Sequence, residues 1–369
     1  MQIYFDNAAT TRIDDRVIEL MVSIMKDNYG NPSSIHSFGR KSKVIIENAR
    51  KKVASLLHVV PSEIFFTSGG TEAISTIING AVSIGINHFI SGKLEHSAVL
   101  KTLYHLENEG KIQLDFVPFD EKGHLDLNVL ATLLKQDKRS MVCLMHAQNE
   151  LGNLLPLKKV GELCHENMAL FCCDTVQTMG KFPIDFSDTY VDFAVCSAHK
   201  FHGPKGVGFM YINSTNSINP QIFGGGQERN MRSGTENIYG IAGLAKAFEI
   251  ANEELQQNMN KIAALKLHLM DRLKAELPDV VINGDEKGLY TILNLGFPKP
   301  KFGQELLMKL DIDGVAVSGG SACSSGSLKD SAVITELGLV EKIQAVRISF
   351  SKYNTLQEVD ALVDLLKTY

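Results

Sequence analysis

The chain has 369 residues, 44% of them hydrophobic and 21% charged, with 37 Lys and Arg against 42 Asp and Glu for a formal net charge of −5. This is ordinary globular composition, enough for about two domains at roughly 150 residues each and for a core that needs no disulfide or metal staples. A mildly acidic balance without blocks of like charge argues against a dedicated nucleic-acid binder and a basic membrane-surface face, so any phosphate must be held by a local device.

The segment from Met1 to Thr11 has neither a basic start nor an apolar stretch long enough for a secretory leader. No window approaches the roughly 18 apolar residues of a spanning helix, and the expected location is the cytoplasm, away from membranes. Helical periodicity predicts helices over 14–26, 41–57, 71–81, 97–107, 126–135 and 157–166. Short apolar runs predict strands over 63–67, 88–90, 114–117, 140–146, 169–173, 191–196 and 207–211. Such alternation implies an α/β fold, a mostly parallel sheet covered by helices on both faces, with functional groups at the carboxyl ends of its strands. After Gly224 a long helical pattern over 238–277, with breaks, leads into a smaller α+β unit. Its strand-like runs are 281–282, 289–295, 315–317 and 345–350, and its last helix is 355–367. The expected division is a large domain over 14–255 and a small one built from 1–13 plus 256–369.

Six cysteines without a C-x-x-C pair make neither a disulfide framework nor a zinc knuckle, and no intrinsic metal is expected. Cys143, Cys164, Cys172, Cys173 and Cys196 lie in apolar runs or a helical stretch and read as buried small hydrophobes. Cys323 differs, because eight of the ten residues from Ser318 to Ser327 are Ser or Gly and offer it no apolar surroundings.

Three strand ends carry chemistry. The run 191–196 closes directly onto Ser197-Ala198-His199-Lys200 and a Gly-Pro loop. A lysine there, beside a hydroxyl and an imidazole, is either an exposed loop residue or placed to form a Schiff base above a bound phosphate. Asp174 follows another apolar strand and is either a helix N-cap or the partner of a pyridinium nitrogen that keeps a cofactor ring protonated. Thr67-Ser68-Gly69-Gly70-Thr71-Glu72 reads as strand, Gly-Gly turn and helix start, where amides and the Thr71 hydroxyl make an anion site or a simple capped turn. Nucleotide fingerprints are missing, so a small phosphorylated cofactor fits better.

Other positions stay open on local pattern alone. His96, between a strand and a helix, is a cap or a proton-exchanging ring. Asn149 marks a turn or bonds a phenolate oxygen. Arg347, on an alternating strand, is a solvent-face residue or a clamp on a carboxylate. The glycine-rich stretch from Gly224 to Thr235 brings Arg229, Arg232 and Thr235 into a loop.

Taken in order, Asp6-Asn7-Ala8-Ala9-Thr10-Thr11, Gly30-Asn31-Pro32-Ser33-Ser34, Thr67 to Glu72, Glu95-His96, Asn149-Glu150, Asp174-Thr175-Val176-Gln177, Ser197 to Lys200, Gly224 to Thr235 and Ser321-Ala322-Cys323 resemble the cysteine desulfurases. These are pyridoxal 5'-phosphate enzymes of the class V aminotransferase group, and the resemblance runs from residue 2 to about residue 367. It implies a fold type I homodimer with a seven-stranded sheet, in which Lys200 holds the cofactor as an internal aldimine. Asp174 would pair with the pyridine nitrogen, and Gln177 and Asn149 would bond the ring oxygen. The phosphate would lie on the Gly70 amide, Thr71, Ser197 and His199, with Thr235 supplied by the second subunit. His96 would stack on the ring as acid and base, and Arg347, with Asn149, would hold the substrate L-cysteine.

Cys323 would then take the sulfur as a persulfide, leaving L-alanine. A Ser- and Gly-rich tether suits a nucleophile that must carry sulfur outward, and the Ser321-Ala322-Cys323 context resembles the subgroup with the long cysteine loop. Sulfur would pass to an iron–sulfur scaffold protein, where Cys323 meets a cluster only transiently, or to tRNA thiolation. Gln148 stands where many members carry Asn, Gly70 where Ala is common. The chain ends at Tyr369, where housekeeping members continue into a tail that helps dock the scaffold. Selenocysteine lyase or another class V activity is the alternative enzyme, and a non-catalytic sulfur-scaffold partner is the alternative from another class.

Overall fold

The computed structural model describes residues 2–136, 138–320 and 331–369. Twelve strands are present among them: β1 (Ile3–Tyr4), β2 (Ile64–Thr67), β3 (His88–Gly92), β4 (Gln113–Val117), β5 (Ser140–Met145) and β6 (Leu170–Asp174), then β7 (Phe193–Ser197), β8 (Gly208–Ile212), β9 (Val281–Asn283), β10 (Ile292–Pro298), β11 (Val315–Ala316) and β12 (Ile343–Ser349). Seven form one sheet in the order β2-β8-β7-β6-β5-β3-β4. All its pairings are parallel except those of β8, which runs against β7 and β2. β3, β5, β7 and β8 are buried along their whole length, as strands with both faces covered must be.

The covering helices are α1 (Asp15–Asp27), α2 (Ser37–Leu56), α3 (Gly70–Ser83), α4 (Ser97–Asn108), α5 (Leu127–Leu134), α6 (Leu157–Glu166) and α7 (Ile238–Glu253). One core gathers side chains of α1, α2, α5, α6 and α7, including Val17, Val53, Leu130, Val160 and Leu244, on one sheet face. A second core sets Ile77 of α3 and Leu103 of α4 against Met141, Phe193 and Met210 on the other. Gly208 allows the tightest approach in this sheet, since a Cβ there would stand 2.1 Å from the Cys196 carbonyl oxygen.

A third core is built from the two ends of the chain. Ile3 and Phe5 pack with Leu269, Leu295, Val346, Leu362 and Val363, contributed in part by α8 (Leu255–Glu276) and by the last helix, Leu356–Leu366. β10 lies between β9 and β12 in an antiparallel sheet, and β1 pairs in parallel with β11. The strand expected over 289–295 is displaced. Leu289 instead turns its amide to the Gly152 carbonyl at 2.7 Å, and the strand starts at Ile292 and runs through Gly296 to Pro298. Pairing with β12 carries it that far, and the proline sits at the strand's end, where a missing N–H costs little. α2 starts at Ser37 rather than 41, because His36 caps it, its Nδ1 accepting from the Gly39 amide at 3.3 Å. No helix of the described residues is long and apolar enough to cross a membrane.

Candidate active site

The carboxyl ends of β5, β6 and β7 lie side by side. Met145 is in register with Asp174, and Asp174 with Val195, so Asp174 and Ser197 finish neighbouring strands on one edge of the sheet. A cavity of about 190 Å³ opens on that edge. Gly70, Thr71, His96, Asn149, Asp174, Gln177, Ser197, His199, Lys200 and Arg347 all line it, together with Ala8, Ala9, Ile74 and Met145.

Lys200 ends a single turn that leaves β7, and its Nζ donates to the carbonyls of Ala8 and Ala9, both at 2.8 Å. Asp174 is half-buried, and desolvation raises its pKa although His96, the Val176 amide and Lys200 oppose the shift. Such a carboxyl gains most from a cationic partner brought into the cavity. Its Oδ1 accepts from the Val176 amide at 2.9 Å, yet no helix starts there, so the cap geometry serves a turn.

At the edge next to Asp174, α3 begins after Gly69, whose φ of 151° few other residues adopt. The Gly70 amide donates to Ser197 Oγ at 2.7 Å. A Cβ on Gly70 would meet Val176 Cγ2 at 2.9 Å and Ser197 Oγ at 3.1 Å, so the helix start is kept bare. Thr71, Ser197 and a helix N-terminus together offer donors and a positive dipole end to an anion. His199 stands beside them, its Nδ1 at 3.2 Å from Thr10 Oγ1, with its pKa pushed down to about 4 by burial and by Lys200, Lys205 and Lys181. It is neutral at pH 7.

His96 caps α4 and also lines the cavity. The Ala98 amide donates to its Nδ1 at 3.1 Å, which leaves Nε2 as the nitrogen that carries the ring proton. Burial lowers its pKa, Asp174 raises it and Lys200 lowers it again, with a net fall. Asn149 lines the cavity while Gln148 turns inward, its Nε2 donating to the Leu94 carbonyl at 3.0 Å.

Arg347 is no solvent-face residue. It projects from β12 with its guanidinium buried, Nη1 donating to the Asn149 carbonyl at 2.9 Å and Nη2 to Asp6 Oδ1 at 2.8 Å. Its Nε is buried with no partner among the described residues. Thr235 lies elsewhere, in a hollow of about 110 Å³ lined also by Ser68, Gly206 and Arg232. Arg232 is held by Glu72 at 2.9 Å and Arg229 by the carbonyls of Ser62 and Ile64.

Cys323 falls outside the described residues. The residues flanking that stretch, Gly320 and Ser331, are neighbours, for a Cβ on Gly320 would stand 2.8 Å from Ser331 Cβ. Ser331 Oγ donates to Glu150, next to Asn149. The other five cysteines are buried, and burial raises the thiol pKa of Cys164, Cys173 and Cys196. Cys172 is raised first by its hydrogen bond with Cys143.

The family model for class-V aminotransferases matches residues 3–362. The chain belongs to that family. A cysteine desulfurase IscS of Dictyoglomus turgidum is 37% identical over 99% of this chain and 94% of its own, and one of Clostridium botulinum is 39% identical over 99% and 93%. Among solved structures, a NifS-like protein superposes with a TM-score of 0.92 at 38% identity, covering 100% of this chain and 99% of its own.

Ten of the residues singled out in the sequence of this class-V chain line one cavity, Thr235 lies apart from it, and three residues given no role from the sequence join the site. Asp6, Ala8 and Ala9 contribute through a carboxylate met across the fold and through backbone carbonyls. A carbonyl carries no residue-type signal, although Asp6-Asn7-Ala8-Ala9 stood out as a motif.

Proposed function

We propose that this chain is a cysteine desulfurase that holds pyridoxal 5'-phosphate in the 190 Å³ cavity and takes sulfur from L-cysteine to leave L-alanine. The observation that carries this reading is the meeting of Lys200, Asp174, His96 and Arg347 in one cavity, beside the bare α3 start. Lys200 would hold the cofactor covalently, Asp174 would face its ring nitrogen, and Gln177 and Asn149 its ring oxygen. Gly70, Thr71, Ser197 and His199 suit its phosphate, with Thr235 reaching in from a second copy. Bound there, the group supplies an electron sink for bonds at the substrate α-carbon.

The chain's own residues do the rest. Arg347 orients the substrate carboxylate through a planar fork of donors, with Asn149 beside it. His96, neutral because burial disfavours its charge, would face the bound ring and move protons at Nε2. Cys323 attacks the substrate sulfur: the carbon–sulfur bond breaks, a sulfur–sulfur bond forms at Cys323, and the former Cβ gains hydrogen to become the methyl of alanine. Atoms and electrons balance in that turnover without an added reductant, and a thiol is needed only to release sulfide.

Two further readings rest on the same ground. The exposed side chains of Tyr29, Ile35, Phe38 and Phe223 support a homodimer, and the separate apolar cores support a large body over 14–255 and a small one from 1–13 plus 256–369. A cytoplasmic enzyme passing sulfur to an iron–sulfur scaffold protein or to tRNA thiolation is the corresponding biological role. The test is an absorbance spectrum before and after L-cysteine and a reductant, with sulfide and alanine assayed together. A visible band and equal yields of both products support the proposal. A band without products moves the function to another amino acid, and faster turnover of selenocysteine than of cysteine favours a selenocysteine lyase.

A further inference from the structure

Behind the cavity lies a buried lysine that the proposed chemistry does not use. Lys181 follows Gly180 in the turn after β6, and its side chain is 8% exposed. Its Nζ donates to Gln177 Oε1 at 3.4 Å. The other end of the same amide, Nε2, donates to the Ala8 carbonyl at 3.0 Å, and that carbonyl also accepts from Lys200 at 2.8 Å. Lys181 thus ends a continuous hydrogen-bonded path, Lys181 to Gln177 to Ala8 to Lys200.

The surroundings do not explain Lys181 as an ion pair. Burial pushes its pKa down to about 7, and the nearby charges that bear on it, Lys200 and Arg347, are cations that push the same way. It borders a cavity of about 30 Å³ with Asp14, His202, Tyr290, Thr291 and Lys352. That volume is on the scale of a single water, and the buried Thr291 hydroxyl there has no partner among the described residues. Burying an amine without a carboxylate is costly, so the position implies a return elsewhere.

Amide geometry supplies it. A glutamine amide can be turned end for end with little change of shape, and its neighbours decide which end donates. Here a carbonyl that only accepts faces the nitrogen, and the Lys181 amine, which has an N–H to donate whether or not it is protonated, faces the oxygen. Both ends select one orientation, and in that orientation Nε2 keeps a second N–H on a side chain that lines the active cavity.

We propose that Lys181 is a positioning residue, which fixes the Gln177 amide with its NH₂ available to an oxygen of the bound cofactor. This rests on pyridoxal 5'-phosphate occupying the cavity. A donor on the ring oxygen favours its anionic form and so lowers the pH at which the bound cofactor's visible band titrates. Without Lys181 the amide is held only by Ala8, the donor is lost for part of the time, and the midpoint rises.

The experiment is a pH titration of the visible band in reconstituted enzyme, comparing wild type with Lys181→Met, Lys181→Gln, Gln177→Ala and the Lys181→Met/Gln177→Ala pair. The midpoint of Lys181→Met is expected to rise by about one pH unit, the scale of one weakened hydrogen bond to a charged oxygen. Lys181→Gln keeps a donor and recovers part of that shift, and it keeps the test open should the methionine variant fail to fold. The double variant is expected to sit no higher than Gln177→Ala alone, because Lys181 acts through Gln177. Unchanged midpoints in the Lys181 variants, or shifts that add in the double variant, overturn the positioning role. A wild-type protein with no visible band after reconstitution overturns the cofactor reading, and this inference with it.

Discussion

The Arg347 guanidinium and the Asp6 carboxylate meet at 2.8 Å across 341 residues of chain. Their contact draws β12 and the segment after β1 together over the carboxyl edge of the large sheet, so the third core, formed from both chain ends, delivers an arginine to a cavity whose other walls come from β5, β6 and β7. Asp6 and the Asn149 carbonyl use the two terminal nitrogens, while Nε stays buried without a partner. An arginine held this rigidly is ready for a carboxylate before the substrate arrives.

Replacing Arg347 with Lys keeps the charge and removes the fork. The KM for L-cysteine is expected to rise about 10- to 100-fold, the value of one charge-assisted hydrogen bond, with the cofactor's visible band retained. Steady-state kinetics beside a spectrum check this, and an unchanged KM removes Arg347 from substrate binding.

In the proposed site, Lys200 and Asp174 would divide the cofactor's requirements. Lys200→Ala is expected to lose the visible band of the protein as purified. Asp174→Asn should keep a band and lose about two to three orders of magnitude in kcat, since a neutral amide gives a ring nitrogen no anionic partner. A Lys200→Ala protein with the wild-type spectrum contradicts the covalent assignment.

Acid sensitivity follows from buried neutral imidazoles. Burial alone pushes His146 down to about 4, and it dominates the fall of His202 to about 4, against an ordinary value near 6.5. The unfolded chain binds these protons and the folded chain does not, so the stabilisation is complete above about pH 6.5 and is lost as pH falls toward about 4. Unfolding free energies from urea titrations are expected to drop over that window, by at most about 3 kcal/mol per histidine, and His146→Gln should flatten the slope. A slope unchanged in the variant assigns the acid sensitivity to other groups.

At the junction of the chain ends, Asp14 accepts from Arg16 at 2.8 Å and from Lys352 at 2.6 Å, and both cations also reach Glu254, at 2.6 and 2.8 Å. The Arg16 hydrogen bonds first, then Lys352, hold the Asp14 carboxyl far below its ordinary value despite burial. Its contribution is present above about pH 4 and lost as pH falls further. Asp14→Asn keeps the α1 cap and breaks the ion network, with an expected cost of about 3 kcal/mol at pH 7 that shrinks in acid. Thermal melts at pH 7 and pH 3 measure both. An equal cost at the two values sinks the electrostatic account.

Most of the large sheet was legible because its strands are buried on both faces, so their apolar runs stand apart from the amphipathic helices between them. The site was legible for a related reason: parallel strands end on one edge, and Asp174, Ser197 and Lys200 announce themselves directly after such runs. Boundaries failed where tertiary pairing overrides local pattern, as at β10, whose apolar run starts at Leu289 although Leu289 itself is claimed by Gly152. The His36 cap of α2 was missed because histidine is an uncommon cap. The Arg347 partner was out of reach for any local reading, since nothing near Arg347 in the chain points to Asp6.

In the proposed reaction sulfur leaves L-cysteine and arrives on Cys323. The direct measurement is peptide mass spectrometry after one equivalent of L-cysteine without reductant, with thiols blocked and alanine counted. One added sulfur is expected on the Cys323 peptide, none on the peptides of Cys143, Cys164, Cys172, Cys173 and Cys196, and one alanine for each added sulfur. Alanine formed at the wild-type rate in Cys323→Ser, with the sulfur on another residue, would contradict it.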